Sequence, residues 1–274
     1  RMARKVQGNK ATAGVFADFY ARKASKVMKR AKVIERKVEK QIEKQIESKP
    51  FIEKRTELSF PPVVETGSTL VNVAGISKRY DDNCLFQDVN FSVTRGQRVA
   101  IMGRNGSGKT TLMKTILRQV EPDEGHIRVS ARVRIGYYAQ EQEELDPERT
   151  ILEEALSTGN QDETWIRIVL GALLLRKEKV HDQIRTLSVG EQGRVVLAKL
   201  LLSGANLLML DEPTNHLDID AREAVERALV DYPGAIMFVS HDRRLIEHLA
   251  DAVIEIEDGR VSYYEPASPS GSTV

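Results

Sequence analysis

An eight-residue loop with three glycines constrains the fold of this chain more than any other segment. It reads Gly103-Arg104-Asn105-Gly106-Ser107-Gly108-Lys109-Thr110, after an apolar, β-branched stretch at residues 98–102 and before a helical pattern at residues 109–120. Strand, glycine-rich turn and helix in this order form a phosphate-binding unit, because glycines let backbone N–H groups point inward at the positive end of the helix. The segment therefore predicts an α/β fold that binds a nucleoside triphosphate, which we interpret as ATP.

Each residue type in this loop, a Walker A motif, has an expected role. The ammonium of Lys109 would reach the β- and γ-phosphates, and the Thr110 hydroxyl would ligate Mg²⁺. The expected ATP-binding residues are Gly103, Asn105, Gly106, Ser107, Gly108, Lys109, Thr110 and Thr111.

A second chemical signal is an apolar stretch at residues 207–210 that ends in Asp211 and Glu212. A continuous apolar run is typical of a parallel strand buried on both faces, and ligands bind beyond the carboxyl ends of such strands. An ordinary strand followed by a solvated acidic turn would look the same. Together with the upstream loop, the pattern predicts that Asp211 holds Mg²⁺ through water and that Glu212 polarises the attacking water.

The remaining pattern alternates between strands and helices, which indicates an α/β core. Helices are expected at residues 150–177 and 191–202, and Asp258-Gly259 marks the turn of a hairpin over residues 252–264. The other expected strands are residues 70–76, 90–93, 126–129, 133–138 and 235–239.

The N-terminal part of the chain differs in charge from the rest. Residues 1–55 contain 17 Lys and Arg against 6 Asp and Glu, and the remainder contains 24 against 34. Between residues 12 and 48, small and apolar residues recur at spacings of three and four, which predicts a coiled-coil helix that needs a partner helix. The basic excess suggests a segment that binds a polyanion; a solvated helix whose charges serve solubility is the alternative.

Other features narrow the class of protein. The sequence has no apolar run of the length that a membrane-spanning helix needs, and its basic N-terminus lacks the apolar region of a signal peptide. Cys84 is the only cysteine, so an internal disulfide is excluded and a reducing cytosol is compatible.

The stretch Leu187-Ser188-Val189-Gly190-Glu191-Gln192 resembles the signature motif of ATP-binding cassette proteins. Ser188 and Glu191 also fit a capping box, so a helix cap alone is the competing interpretation. The resemblance implies that Ser188, Gly190 and Glu191 face the γ-phosphate of ATP held by another cassette. Val189 departs from the glycine most common at its position.

Further positions match the cassette pattern in order. Tyr80 resembles the aromatic residue that stacks on adenine, and Gln140 resembles the glutamine that touches Mg²⁺ and the attacking water. Asp218 resembles the D-loop aspartate, and His241 resembles the histidine that contacts the γ-phosphate. The resemblance covers residues 69–265 and implies an ABC-type P-loop ATPase cassette with a RecA-like core, an antiparallel β subdomain and a helical subdomain.

Two features resemble the ABC-F family within this superfamily. Residues 212–218 read Glu-Pro-Thr-Asn-His-Leu-Asp, which is similar to the segment typical of that family, and a basic helix precedes the cassette. The chain looks like a second cassette with the returning helix of the linker hairpin. The implied organisation is a basic helical arm at residues 1–50, a connector at 51–68, the cassette at 69–265 and a flexible tail at 266–274.

The resemblance implies a cytoplasmic ATPase that acts on the ribosome, as a translation factor or in antibiotic resistance. Its implied catalytic residues are Lys109, Gln140, Glu212 and His241, with Thr110, Gln140 and Asp211 around Mg²⁺. Expected partners are rRNA and a second cassette, from the missing first half of the chain or a second copy, but no membrane and no transported small molecule. The alternatives are the ATPase subunit of a membrane transporter and a DNA-associated ABC-F member.

Overall fold

The computed structural model describes residues 58, 60, 67–80, 83–139, 145–159 and 162–265. The predicted arm at residues 1–50, the predicted tail at residues 266–274 and the predicted metal ligand Gln140 therefore lie outside the described residues. The same holds for most of the connector at residues 51–68.

The strands of the described residues form one nine-stranded sheet in the order β4-β1-β2-β9-β8-β3-β7-β6-β5. The first three strands in this order pair antiparallel, while β8, β3, β7, β6 and β5 run parallel. The strands are β1 (Thr69–Tyr80), β2 (Asn83–Thr94), β3 (Arg98–Gly103), β4 (Glu124–Val129), β5 (Ile135–Tyr138), β6 (Leu207–Asp211), β7 (Ala235–Val239), β8 (Ala252–Glu257) and β9 (Arg260–Tyr264).

Six α-helices accompany the sheet in the described part of the chain. They are α1 (Lys109–Ile116), α2 (Ile151–Leu156), α3 (Glu163–Ala172), α4 (Val189–Leu202), α5 (Ile219–Asp231) and α6 (Arg243–Leu249). Two short 3₁₀ segments, Lys177–His181 and Ile184–Thr186, lead into α4. The expected mixture of an antiparallel β part, a parallel core and a helical part is confirmed.

The sheet curls strongly because its two edge strands are neighbours in sequence. Only residues 130–134 separate the end of β4 from the start of β5, and that connection spans at most about 20 Å. Helix α1 lies inside the curl, where Leu112, Met113 and Ile116 are buried against the strands.

The helices α2, α3 and α4 pack against one another beside the parallel strands. Lys199 of α4 forms an ion pair of 2.6 Å with the buried carboxylate of Glu154 in α2. The prediction of a single helix over residues 150–177 is wrong, because α2 ends at Leu156 and α3 begins only at Glu163. Gly159 there adopts φ 108°, and Asp162 caps the start of α3 through the N–H of Thr164.

Leu58 and Phe60 pack against the helices of the fold. The backbone N–H of Leu58 donates to Asp231 Oδ2 over 3.0 Å, and Leu58 is buried. The ring of Phe60 meets Trp165 of α3 edge-on at 5.4 Å between centroids, and Tyr232 at 5.6 Å. The segment before β1 is thus joined to both the helical part and the end of α5. Among the described residues, none of the helices combines the length and apolar character needed to cross a membrane.

Candidate nucleotide-binding site

The glycine-rich loop joins β3 to α1 in a shape that side chains would obstruct. Gly103, Gly106 and Gly108 have φ angles of 152°, 79° and 101°, in the region that favours glycine. A Cβ on Gly103 would lie 2.5 Å from the carbonyl oxygen of Ile256 in β8. The loop can therefore approach β8 this closely only because position 103 carries no side chain.

The interior of this loop contains a hydroxyl without a hydrogen-bond partner and an ammonium that is bound only by backbone carbonyls. The hydroxyl oxygen of Ser107 is buried and makes no hydrogen bond. The ammonium of Lys109 donates to the carbonyl oxygens of Gly103 at 3.0 Å and Arg104 at 2.9 Å. Burial lowers the pKa of Lys109, while the nearby carboxylates of Glu212 and Asp211 oppose that shift. An unsatisfied hydroxyl and a buried ammonium in a glycine cradle fit a phosphate group.

The two predicted magnesium ligands of the described residues lie side by side. The hydroxyl of Thr110, in the first turn of α1, donates to Asp211 Oδ2 over 2.7 Å. Asp211 ends β6, whose residues are all buried. The described residues contain no group of three or more His, Cys, Asp or Glu that could hold a metal alone. An oxygen pair of this kind suits Mg²⁺, which also keeps waters and substrate phosphates as ligands.

Glu212 follows the magnesium ligand in a strained conformation. Its φ angle is 53°, and its N–H donates to the carbonyl oxygen of Val239 over 3.0 Å, which joins the ends of β6 and β7. Its Oε1 is buried without a hydrogen bond, although His241 Nε2 lies 3.5 Å away. Burial raises the pKa of Glu212, and His241 opposes the shift. The carboxylate is thus placed to accept a hydrogen bond from a water molecule.

The signature segment begins α4 with a complete capping box. Ser188 Oγ accepts from the N–H of Glu191 at 3.4 Å, and Glu191 Oε2 accepts from the N–H and hydroxyl of Ser188, each at 2.9 Å. Lys179 binds the other carboxylate oxygen of Glu191 at 2.9 Å and also Asp182 at 3.1 Å. Val189, the departure from the usual motif, is 59% exposed. The helix cap and an outward-facing motif therefore coexist.

Gly190 brings the signature segment close to the loop after β6. A Cβ at Gly190 would lie 2.9 Å from the carbonyl oxygen of His216. Asp218, two residues further on, caps α5 by accepting from the N–H of Ala221 over 2.8 Å. Ser188, Gly190, His216 and Asp218 line one open cleft of about 390 Å³. The structure thus brings together the signature and D-loop positions that the sequence predicted. The residues that line this cleft do not include Lys109 or the rest of the phosphate loop.

Glu191 gives the signature cap a measurable dependence on pH. Burial alone would raise its pKa, but hydrogen bonds from Ser188 and Lys179 outweigh burial and lower the pKa to about 2. The stabilisation from the charged form is present above the unfolded-state pKa of 4.5 and is lost as the pH falls through 2. We expect Glu191→Gln to lower the free energy of unfolding by about 2 to 3 kcal/mol at neutral pH, with the difference shrinking below about pH 4.

Denaturant unfolding of the parent and Glu191→Gln between about pH 3 and pH 7 measures this convergence. Glu178→Gln is the matched control, because it removes an exposed carboxylate from the same region without touching the cap. Stability curves of parent and Glu191→Gln that stay parallel over this range would contradict the assigned electrostatic role.

Tyr80 lies at the end of β1, and its side chain is 50% exposed. The ammonium of Lys78 lies 5.4 Å from the centroid of its ring, a favourable cation–π arrangement. Lys78 is itself held by Asp123 at 2.8 Å. An exposed aromatic ring at the end of a strand is compatible with stacking on a base, and its role toward adenine stays a prediction.

Sequence reasoning missed Lys179, although it contacts the signature carboxylate directly. It lies in a 3₁₀ segment, twelve residues before Glu191 in the sequence. No periodicity connects the two positions, because their contact depends on how the segment at residues 177–187 folds back. Only the tertiary structure reveals this ion pair.

Comparison with known proteins places this site in a family. Residues 86–215 match the family described as ABC transporter. The chain is 38% identical over 240 residues to ABC transporter F family member 5 of Arabidopsis thaliana, covering 86% of this chain and 34% of that protein. It is 37% identical over 216 residues to the energy-dependent translational throttle protein EttA of Escherichia coli K12. This match covers 76% of this chain and 39% of that protein.

The chain therefore spans little more than a third of the length of these relatives. A similar solved structure is the dimeric post-hydrolysis state of an ATP-binding cassette bound to ADP and Pi. It has a TM-score of 0.61 and 24% identity, and covers 72% of this chain and 98% of that chain. At this identity the likeness supports the fold. Residues 86–215 thus form an ABC transporter domain, and members of the ABC transporter F family are among the homologues of this chain.

Proposed function

We propose that this chain is an ATP-hydrolysing cassette of an ABC-F-type protein that acts on the ribosome. The observation that carries hydrolysis is the Glu212 carboxylate, whose buried Oε1 has no hydrogen bond. It directly follows Asp211, which accepts from Thr110 in the phosphate loop. A free acceptor next to a triphosphate cradle is what activation of a water molecule requires.

In the proposed reaction Glu212 accepts a hydrogen bond from a water molecule and aims its oxygen at the γ-phosphorus. The new P–O bond forms as the bond to the β–γ bridging oxygen breaks, and a proton of the water passes to the Glu212 carboxylate, giving ADP and phosphate. Lys109 exchanges its carbonyl partners for phosphate oxygens, and His241 approaches the same group from the end of β7. Mg²⁺ held by Thr110 and Asp211 would neutralise phosphate charge. Gln140 keeps its predicted role beside the metal.

A second cassette completes the site in this proposal. The positive end of α4, with Ser188 and Gly190, lies in a cleft with Asp218 that is separate from the phosphate loop. Such a helix end attracts a phosphate group, here the γ-phosphate of ATP on the partner. The partner is either another part of a longer protein or a second copy of this chain.

The proposed target is ribosomal RNA in the cytoplasm. Support comes from the name of EttA, an energy-dependent translational throttle protein, and from the basic excess of residues 1–55. Lys and Arg side chains that neutralise RNA phosphates release counterions, which favours binding. The cellular role would be that of a translation factor or of a ribosome-protecting resistance protein.

Co-sedimentation with purified ribosomes tests this proposal. We expect the Glu212→Gln variant to pellet with ribosomes about tenfold more in the presence of ATP than without it, because trapped ATP holds the binding-competent state. Lys109→Ala, which removes the phosphate contact, is the control that should show no effect of ATP. The same amount of pelleted Glu212→Gln variant with and without ATP would contradict the proposal, as would tighter binding to branched DNA than to ribosomes.

A further inference from the structure

Four arginines from two parts of the sequence gather at one end of the antiparallel strands. Arg95 follows β2, Arg128 lies in β4, and Arg132 and Arg134 lie in the connection from β4 to β5. The N–H of Arg95 donates to Ser68 over 2.9 Å. We call these four residues the basic end.

The strand register explains why the basic end forms. Thr69 at the start of β1 pairs with Thr94 at the end of β2, and Val71 pairs with Val129 at the end of β4. The end of β2, the start of β1 and the end of β4 therefore meet at one edge. All four arginines are exposed, and within the described residues no ion pair engages their guanidinium groups.

Carboxylates are missing from the segments that form this edge. Residues 68–72, 92–97, 128–134 and 203–206 contain no Asp or Glu. The neighbouring Asp251 lies on the β8 side, where its carboxylate accepts from the N–H of Arg98 over 3.0 Å. Glu265 lies beside the edge on the β9 side, where it accepts from the hydroxyl of Tyr263, which in turn accepts from Gln97. The segments that carry the four positive charges thus contribute no carboxylate of their own.

A buried asparagine holds the backbone of two of these arginines. Asn206 Oδ1 accepts from the N–H of Arg134 at 2.8 Å, and Asn206 Nδ2 donates to the carbonyl oxygen of Arg132 at 2.9 Å. Asn206 is 2% exposed. The connection is therefore fixed before any partner binds, which reduces the entropy lost when its arginines bind a ligand.

The basic end and the predicted triphosphate site lie at opposite edges of the parallel strands. Arg95 and Arg134 precede β3 and β5, so they lie at the amino-terminal edge of the parallel strands. The phosphate loop and Asp211 follow the carboxyl ends of β3 and β6, at the opposite edge. A ligand of these arginines would therefore be a polyanion other than the triphosphate.

We propose that the basic end binds the phosphate backbone of RNA, as a contact of the cassette that is additional to residues 1–55. Unpaired arginines on a fixed backbone suit phosphate oxygens, because guanidinium groups bind them in a bidentate manner. The identity of the RNA rests on the proposed ribosomal function, while the presence of a phosphate-binding surface rests on the four arginines.

The test uses the whole chain and a fluorescently labelled RNA hairpin, with affinity measured between about 50 and 200 mM KCl. The triple variant Arg128→Gln, Arg132→Gln, Arg134→Gln should reduce the slope of log K against log salt by about 2 to 3. Replacing the same three residues by Lys should keep most of the slope, since the charge remains.

A matched control removes three charges elsewhere. Arg167 and Arg185 are paired with Glu163 at 2.8 Å and Glu148 at 3.1 Å, and Arg227 is exposed on α5. Their triple replacement by Gln should change the slope by less than about 1. Equal slopes in the two Gln variants would overturn the assignment, as would stronger dependence of the basic end on phosphatidylserine vesicles than on RNA.

Different results would contradict the proposed ribosomal function and the proposed role of the basic end. If the parent chain pellets with ribosomes but the basic-end variant keeps the parental salt slope, only the assignment of the basic end is wrong. If the parent chain binds neither RNA nor ribosomes, both proposals are wrong. Thermal unfolding of each variant excludes loss of the fold as the cause of a lower slope.

Discussion

Replacing Glu212 by Gln is expected to slow ATP hydrolysis at least about 100-fold while ATP affinity stays within about threefold of the parent. Its Oε1 is buried without a hydrogen bond and lies 3.5 Å from Nε2 of His241. Gln keeps the size of the side chain but loses the negative charge that orients and polarises water. The contacts of Lys109 and the glycine loop with phosphates do not involve this carboxylate, so binding should persist.

Phosphate release measures turnover, and a fluorescent ATP analogue measures affinity. Protein concentration must be varied, because pairing with a second cassette is part of the proposed mechanism. Glu247→Gln is a suitable control, since Glu247 is an exposed carboxylate on α6. Hydrolysis by Glu212→Gln within about threefold of the parent would show that another group activates the water.

Gly103→Ala is expected to weaken ATP binding by about 100-fold or more. The added methyl group would lie 2.5 Å from both the carbonyl oxygen of Ile256 and the hydroxyl oxygen of Ser107. Ile256 belongs to a paired strand and cannot move away without breaking the β3–β8 ladder. The loop would have to change shape, and a shift of about 1 Å in a phosphate cradle has large effects. We also expect a loss of roughly 2 kcal/mol in the free energy of unfolding.

Gly96→Ala separates steric conflict from backbone strain. Gly96 also has a positive φ angle, 74°, but a Cβ there would have no atom within 4 Å. It should lose about 1 kcal/mol of stability and keep ATP affinity. Binding to a fluorescent ATP analogue and thermal unfolding distinguish the two variants. Full ATP affinity in Gly103→Ala would refute the close approach that we assign to this loop.

Local patterns made most of the nucleotide site predictable. The glycine loop, the apolar strand ending in Asp211 and the capping box of Ser188 and Glu191 each depend on residues adjacent or three apart. Short-range backbone geometry decides such elements, so one sequence suffices to find them. The length of α2 and α3 was less accessible, because a helical pattern continues through the break that Gly159 introduces.

Sequence alone thus determined the α/β class, the phosphate loop and the positions of its acidic partners. Tertiary structure alone decided that Thr110 donates to Asp211, that Lys179 binds the signature carboxylate and that Gly190 lies against His216. The basic end likewise exists only because three chain segments meet at one edge of a curled sheet. Contacts between distant segments depend on strand register and packing, which leave no periodic pattern along the chain.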